Sequence, residues 1–266
     1  MEILSFTITG KLAHFRKFYA NNTALSFSIP PRTTLMGLVA GVMGWPKDSY
    51  YEKLSSEHFR FGVRVLTPIK KSFQRLNYLS IKKTGDISKS LDSDFRGRGG
   101  RIQTPFEIVS GLNLTKDDVA YQVFLCPENI EDPVYTEIKE SFIHQKPIFN
   151  LSLGPANFQA SLQNVEVVTD SQIEQIQTDD FTEIHTAIPS ALIQELQFKK
   201  EDADHYNFVE EDMMPGEFIE DNNREVKTMN RLLFSTTNHP LRVKLNAPYF
   251  HLKTQNESLN IQFMDQ

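Results

Sequence analysis

The chain is short of sulfur and of long apolar runs. One cysteine, Cys126, stands among 266 residues, which excludes an internal disulfide framework and fits a reducing compartment. The longest apolar stretch, Leu35 to Met43, falls well short of the ~20 residues a membrane-spanning helix needs. The first residues lack the basic segment, apolar stretch and small-residue cleavage site of a secretory signal. A soluble, cytoplasmic protein is therefore expected. No Gly-x-Ser-x-Gly elbow, phosphate-binding P-loop or His-Glu-x-x-His pattern occurs, so the usual marks of serine hydrolases, nucleoside triphosphatases and zinc peptidases are missing. No metal ion, cofactor or catalytic residue is expected. No repeat of fixed period is visible. What remains is ample for a core, since 39% of the residues are hydrophobic.

Charge is unevenly distributed. The net charge is −6, yet residues 1–103 hold 17 Lys and Arg against 7 Asp and Glu, while residues 104–266 hold 11 against 27. Binding follows the local field rather than the total, so a basic half on an acidic chain can take an anionic polymer. The plainer alternative is that both halves are ordinary solvated surface.

Periodicity suggests an order of elements. Residues 3–12 alternate, with Leu4, Phe6, Ile8 and Leu12 on one side and Ser5, Thr7, Thr9 and Lys11 on the other, as in a half-buried strand. A helix is expected over 33–44, capped by Thr33 or Thr34 and stopped by Gly44, with Gly37 and Gly41 letting it press against a sheet. Strands are expected over 59–66 and 119–126. A second helix over 133–144 has Asp132 as cap, Pro133 in its first turn and a stripe of Val134, Ile138 and Phe142. A strand near 158–168 follows. The expected class is α+β, in the ferredoxin-like βαββαβ order that also underlies RRM-type RNA binders.

Between the second and third strands lies an insertion, 70–108, rich in Lys and Arg. Its arms, Phe73 to Ile81 and Arg101 to Val109, have strand character, so a projecting β-hairpin with a basic tip is expected. Residues 169–230 read as an acidic connecting segment; 170–222 hold 15 acidic side chains against Lys199 and Lys200. Within it a helix is expected from Pro189 to about Lys199. Residues 231–266 read as a smaller β-rich part. Cys126 is expected to be a buried apolar residue, and the acidic cluster from Asp202 to Asp212 a solvated face rather than a metal site.

Three stretches carry a resemblance. Gly10 to Arg16, Ile29-Pro30-Pro31-Arg32-Thr33-Thr34, and the glycine-bearing helix to Gly44 resemble the N-terminal signature of the CRISPR-associated Cas-five family. Leu153-Gly154-Pro155-Ala156-Asn157-Phe158-Gln159-Ala160 resembles that family's later glycine turn, and Arg101 to Ile108 the return arm of its thumb. The match spans about residues 3–168. It implies an RRM-like domain over 1–168 with a protruding thumb at about 70–108. It also implies a role as an RNA-binding structural subunit of the type I antiviral surveillance complex, Cascade, with the overall character of subtype I-B. Such subunits hold the 5′ handle of the crRNA and contact the backbone subunit and the large PAM-recognising subunit.

RNA needs cations for phosphates, flat groups for unstacked bases and hydrogen bonding to base edges or 2′-hydroxyls. The expected RNA-binding residues are Lys11, His14, Arg16, Arg32, Thr33 and Thr34 in the N-terminal block, with Arg75, Lys82, Lys83, Arg96, Arg98 and Arg101 in the hairpin. Arg32 is assigned to phosphate, and its replacement is expected to spare the fold. His14, Phe15 and Tyr19 are candidates for stacking; Phe18 is assigned to the core. The alternative is a metal-independent endoribonuclease that processes precursor crRNA. Self-processing relatives use a Tyr with an adjacent Lys-His pair, and no Lys-His dipeptide occurs among the seven histidines here.

Overall fold

The computed structural model describes residues 1–20, 23–79, 85, 101–198, 208–219 and 223–265. The alternating stretch forms β1 (Glu2–Gly10), and the short strands β2 (Leu12–Ala13), β3 (Phe15–Arg16) and β4 (Ser26–Phe27) follow. Next come α1 (Arg32–Met43), β5 (Phe59–Val65), the pair β6 (Ile69–Leu79) and β7 (Arg101–Gly111), β8 (Val119–Pro127), α2 (Pro133–Ile143) and β9 (Ala160–Thr169). Four strands make one sheet in the order β5-β8-β1-β9, with every neighbour antiparallel. The connections through α1 and α2 each pass over one intervening strand. The protein is α+β.

Local chemistry sets the helix limits. Pro30 and Pro31 hold the backbone extended up to the helix, so Pro31 is the N-cap, Arg32 the first helical residue, and no side chain caps α1. The two threonines expected as caps lie inside the first turn. Gly44 closes α1 in the left-handed region at φ 70°, as expected. Gly37 and Gly41 do not face the sheet: a methyl on Gly37 would meet the Tyr50 hydroxyl at 3.2 Å, and one on Gly41 would meet Leu151 at 3.2 Å. In α2 the Asp132 side chain accepts from the Val134 N–H at 2.8 Å. Tyr135, Ile138 and Phe142 are its buried residues.

Both faces of the sheet are covered. Leu4, Phe6, Ile8, Tyr121, Val123, Phe61 and Val63 pack with the two helices in the main core. On the reverse face Ile3, Phe124, Cys126 and Val168 pack against Phe250, Leu252, Leu259, Ile261 and Phe263. Burial there pushes the Cys126 thiol up to about 11.

Those covering residues belong to a second set of strands: β10 (Ile173–Ile176), β11 (Thr182–Ile184), β12 (Ile188–Pro189), β13 (Ile193–Leu196), β14 (Val209–Phe218), β15 (Val226–Ser235), β16 (Leu241–Leu245), β17 (Tyr249–Lys253) and β18 (Ser258–Ile261). They form three small sheets, β10-β17-β18, β11-β16-β13 and β12-β15-β14. Each sheet joins a strand from the acidic stretch to one from β15 to β18. The segment read as a connection, 169–230, is thus interleaved with the part read as C-terminal, 231–266. The helix expected after Pro189 is instead one 3₁₀ turn, Ser190–Leu192, leading into β13. Ile193 and Leu196 pair with β16 there, so tertiary pairing overrides a short helical pattern. Met214, Leu232, Phe234 and Met264 enter the main core beside β1 and α1.

Candidate nucleic-acid interface

Among the described residues, most cations of the first half already have partners. Arg32 is 1% exposed. Its guanidinium forms a close ion pair with Asp265, stands 3.9 Å from Glu217, and donates to the backbone carbonyls of Leu54 at 2.9 Å and Phe59 at 2.8 Å. Arg32 is therefore a buried organiser of the core, and its assignment to phosphate is corrected. Position at a helix start could not reveal this, because both carboxylates arrive from the far end of the chain.

His14 is corrected as well. It is 3% exposed, its Nδ1 lies 2.7 Å from the Glu107 carbonyl, and its ring stacks on Phe106 with centroids 4.0 Å apart. The Nδ1 carries the proton donated to that carbonyl, which leaves Nε2 a buried acceptor without a partner. Burial lowers the pKa of this imidazole despite the carbonyl hydrogen bond. Phe15 is buried, whereas Phe18 and Tyr19, 52% and 51% exposed, stand edge to face on the surface. The assignment of Phe18 to the core is thus reversed.

Acidic side chains of β14 lie along the basic half. Asp212 forms a close ion pair with Lys17, and Glu210 accepts from Ser28 at 2.6 Å and from Lys71 at 3.4 Å. Burial alone would lower the Lys17 ammonium, but Asp212 outweighs it and the pKa stands above its ordinary value. Lys11 pairs with Asp118 at 3.0 Å. Glu210 and Asp212 are in this sense internal neutralisation rather than a solvated face, while Asp202 and Asp204 of that cluster lie outside the described residues. No group of three metal-ligating side chains occurs among the described residues, nor is any of their helices long and apolar enough to cross a membrane.

Three predicted residues do converge. Arg16, Thr33 and Thr34 line one cleft of about 370 Å³, together with Phe18, Tyr50, Tyr51, Phe218 and Arg224. The first turn of α1 opens into it, where the Arg32 and Thr33 N–H groups precede the first intrahelical bonds. Its floor includes Gly154, from the later glycine turn. That turn docks against the strand before it: His14 N–H donates to Leu153 O at 2.9 Å, and a methyl on Gly154, at φ 104°, would come within 1.9 Å of His14 O. The two motifs, well separated in sequence, are halves of one construction. Aromatic contacts run along the wall, Tyr50 to Tyr51 at 4.7 Å and Tyr51 to Phe218 at 5.4 Å.

Sequence reasoning misses Arg224, Tyr50, Tyr51 and Phe218. Arg224 lies in the acidic half, where no local signal marks it. It is anchored by its Nε, which donates to Asp48 Oδ1 at 2.8 Å, and the same oxygen accepts from the Tyr51 hydroxyl at 2.7 Å.

The hairpin arms are present. β6 and β7 pair from Ile69↔Gly111 to Leu79↔Arg101, a projection of about 35 Å at a strand's usual rise. Phe73 and Arg75 are exposed on it. Arg101 is described as the first residue of β7, while Lys82, Lys83, Arg96 and Arg98 lie outside the described residues.

No protein-family model matches the chain, and no curated protein matches it in sequence. Solved structures do. A CRISPR protein from Archaeoglobus fulgidus is similar over 98% of this chain and 99% of its own, at 13% identity and a TM-score of 0.56. A chain of a CRISPR RNA-guided surveillance complex is similar over 91% of each, at 12% identity and a TM-score of 0.50. With sequence identity this low and coverage this complete, the likeness is one of architecture along the whole length: the chain has the fold of CRISPR Cas proteins.

Proposed function

We propose that the protein is a non-catalytic, RNA-binding structural subunit of a type I CRISPR surveillance complex, of the Cas-five family and with the character of subtype I-B. It holds the 5′ handle of crRNA and meets the backbone subunit and the large PAM-recognising subunit. The observation that carries this reading is the cleft, where Arg16, Thr33 and Thr34 from the N-terminal signature meet Gly154 from the later glycine turn. The sheet order β5-β8-β1-β9 with two over-crossing helices supports a ferredoxin-like domain, and the β6–β7 hairpin supports a thumb. The fold shared with a surveillance-complex chain agrees.

An RRM reads RNA on its open sheet face. Here that face carries the β17–β18 hairpin, so the binding groups lie at the end of the sheet and on the thumb. The test is electrophoretic mobility of a repeat-derived RNA with the purified chain, with and without EDTA. A shifted and intact RNA supports the reading. Specific cleavage that resists EDTA would establish the endoribonuclease instead, and no binding at modest salt would refute both.

A further inference from the structure

We infer that the α1 cleft is a subsite for a single unstacked nucleotide of a single-stranded RNA. Arg16 and Arg224 take its phosphate, the Thr33 hydroxyl takes a hydrogen bond, and the exposed ring of Phe18 takes the base. This rests on the proposed RNA-binding function and specifies how it is exercised.

Arg224 carries the argument furthest. Its Nε is fixed on Asp48, and no hydrogen bond among the described residues uses its Nη groups. A guanidinium held along one edge and open along the other is set to meet phosphate oxygens with little further loss of freedom.

Thr33 is a second and independent sign. It is 7% exposed, lines the cleft, and its hydroxyl makes no hydrogen bond among the described residues. The hydroxyl oxygen is open to the cleft, so a ligand hydrogen bond there would replace one to water. Phe18, 52% exposed beside Tyr19, offers a flat apolar face at the rim, and base stacking on such rings is tolerant of base identity. The volume, about 370 Å³, is at the small end of ligand sites, which run to about 1,000 Å³. It suits one ring and its phosphate rather than several nucleotides.

The experiment uses the full chain and a short single-stranded RNA in which 2-aminopurine replaces one base at a time. Binding is expected to quench fluorescence strongly at one position and weakly at its neighbours. Phe18→Ala is expected to abolish that contrast while most of the affinity remains. Arg224→Gln and Thr33→Val are expected to weaken binding, the first by about tenfold. Lys116→Gln, the same charge change on an exposed loop away from the cleft, is expected to do little. Adenosine monophosphate alone serves as the second arm; saturable binding of it equal to that of RNA would show a free-nucleotide site and overturn the RNA assignment. RNA binding with equal quenching at all positions, or with Arg224→Gln matching Lys116→Gln, overturns the subsite but leaves the RNA-binding function standing. No RNA binding at all overturns both.

Discussion

Arg32 shows how far a single side chain departs from what its neighbours in sequence suggest. Its guanidinium lies between Asp265 and Glu217, both nearly as buried as itself. Burial holds the Asp265 carboxyl above its ordinary pKa even with Arg32 beside it. Arg32→Met would leave the buried Asp265 carboxylate without its cation, while Glu217 keeps Lys227 and Ser56, and removing one member of such a buried pair costs about 3–5 kcal/mol. Denaturant unfolding is expected to show a loss of this size, with part regained in Arg32→Met/Asp265→Leu. A substitution expected from sequence to spare the fold is thus expected to damage it. Histidines give a second residue-level prediction. Burial lowers the pKa of both His14 and His185 below 6.5, so below that pH the unfolded chain takes up protons that the folded chain resists. Stability therefore rises with pH through this range and falls on acidification. A urea series from pH 7.5 down to about pH 5 checks it, and His14→Phe should make the dependence shallower.

Elements with local determinants are legible in the sequence. The strands β1, β5 and β8 follow from alternation, and α2 from its Asp132 cap and Pro133. The start of α1 shifts because two prolines fix the backbone before either threonine can cap. The stretch after Pro189 misleads because its apolar residues serve β16, a strand well downstream, which no window on the sequence contains. The cleft is legible by half: Arg16, Thr33, Thr34 and Gly154 lie in recognisable motifs, whereas Arg224 and Phe218 come from a hairpin without one. The glycine turn makes the most direct element-level prediction. Gly154→Ala combines a φ of 104° with a methyl 1.9 Å from His14 O. Such a backbone conformation costs about 1–3 kcal/mol in strain alone, and relief requires the turn to leave the cleft floor. Thermal unfolding should report the loss, and RNA affinity should fall with it.

For the molecule as a whole, charge segregation along the chain becomes charge pairing in the fold. Lys11, Lys17, Arg32, Arg60, Arg64 and Lys71 all contact carboxylates. Among the described residues, the cations of the basic half are thus largely neutralised in space. Among the described residues Arg16, Lys53, Lys70 and Arg75 of that half make no ion pair, Lys53 lying over the Trp45 ring and Lys70 donating to the Leu112 carbonyl. Plots of log affinity for RNA against log salt are expected to lose about 0.7 of their slope for each of Arg16→Gln and Arg224→Gln, and almost nothing for Lys17→Gln. The shared core, in which Met214, Phe234 and Met264 pack with Phe6 and Leu35, further predicts one cooperative transition. Calorimetric and van't Hoff enthalpies should agree.

The hairpin lying across the reverse of the central sheet has one more implication. With the inner strands covered and only the β9 edge bare, little new recognition can be painted onto the sheet, as residue swaps do in open-faced scaffolds. It must be grown at the margins, in the loop after β3, the far end of the β6–β7 arms and the turn bearing Arg224. Randomised libraries confined to those three places should yield altered RNA preferences in folded proteins, while libraries on Ser5, Thr7 or Gln122 should mainly yield unfolded ones.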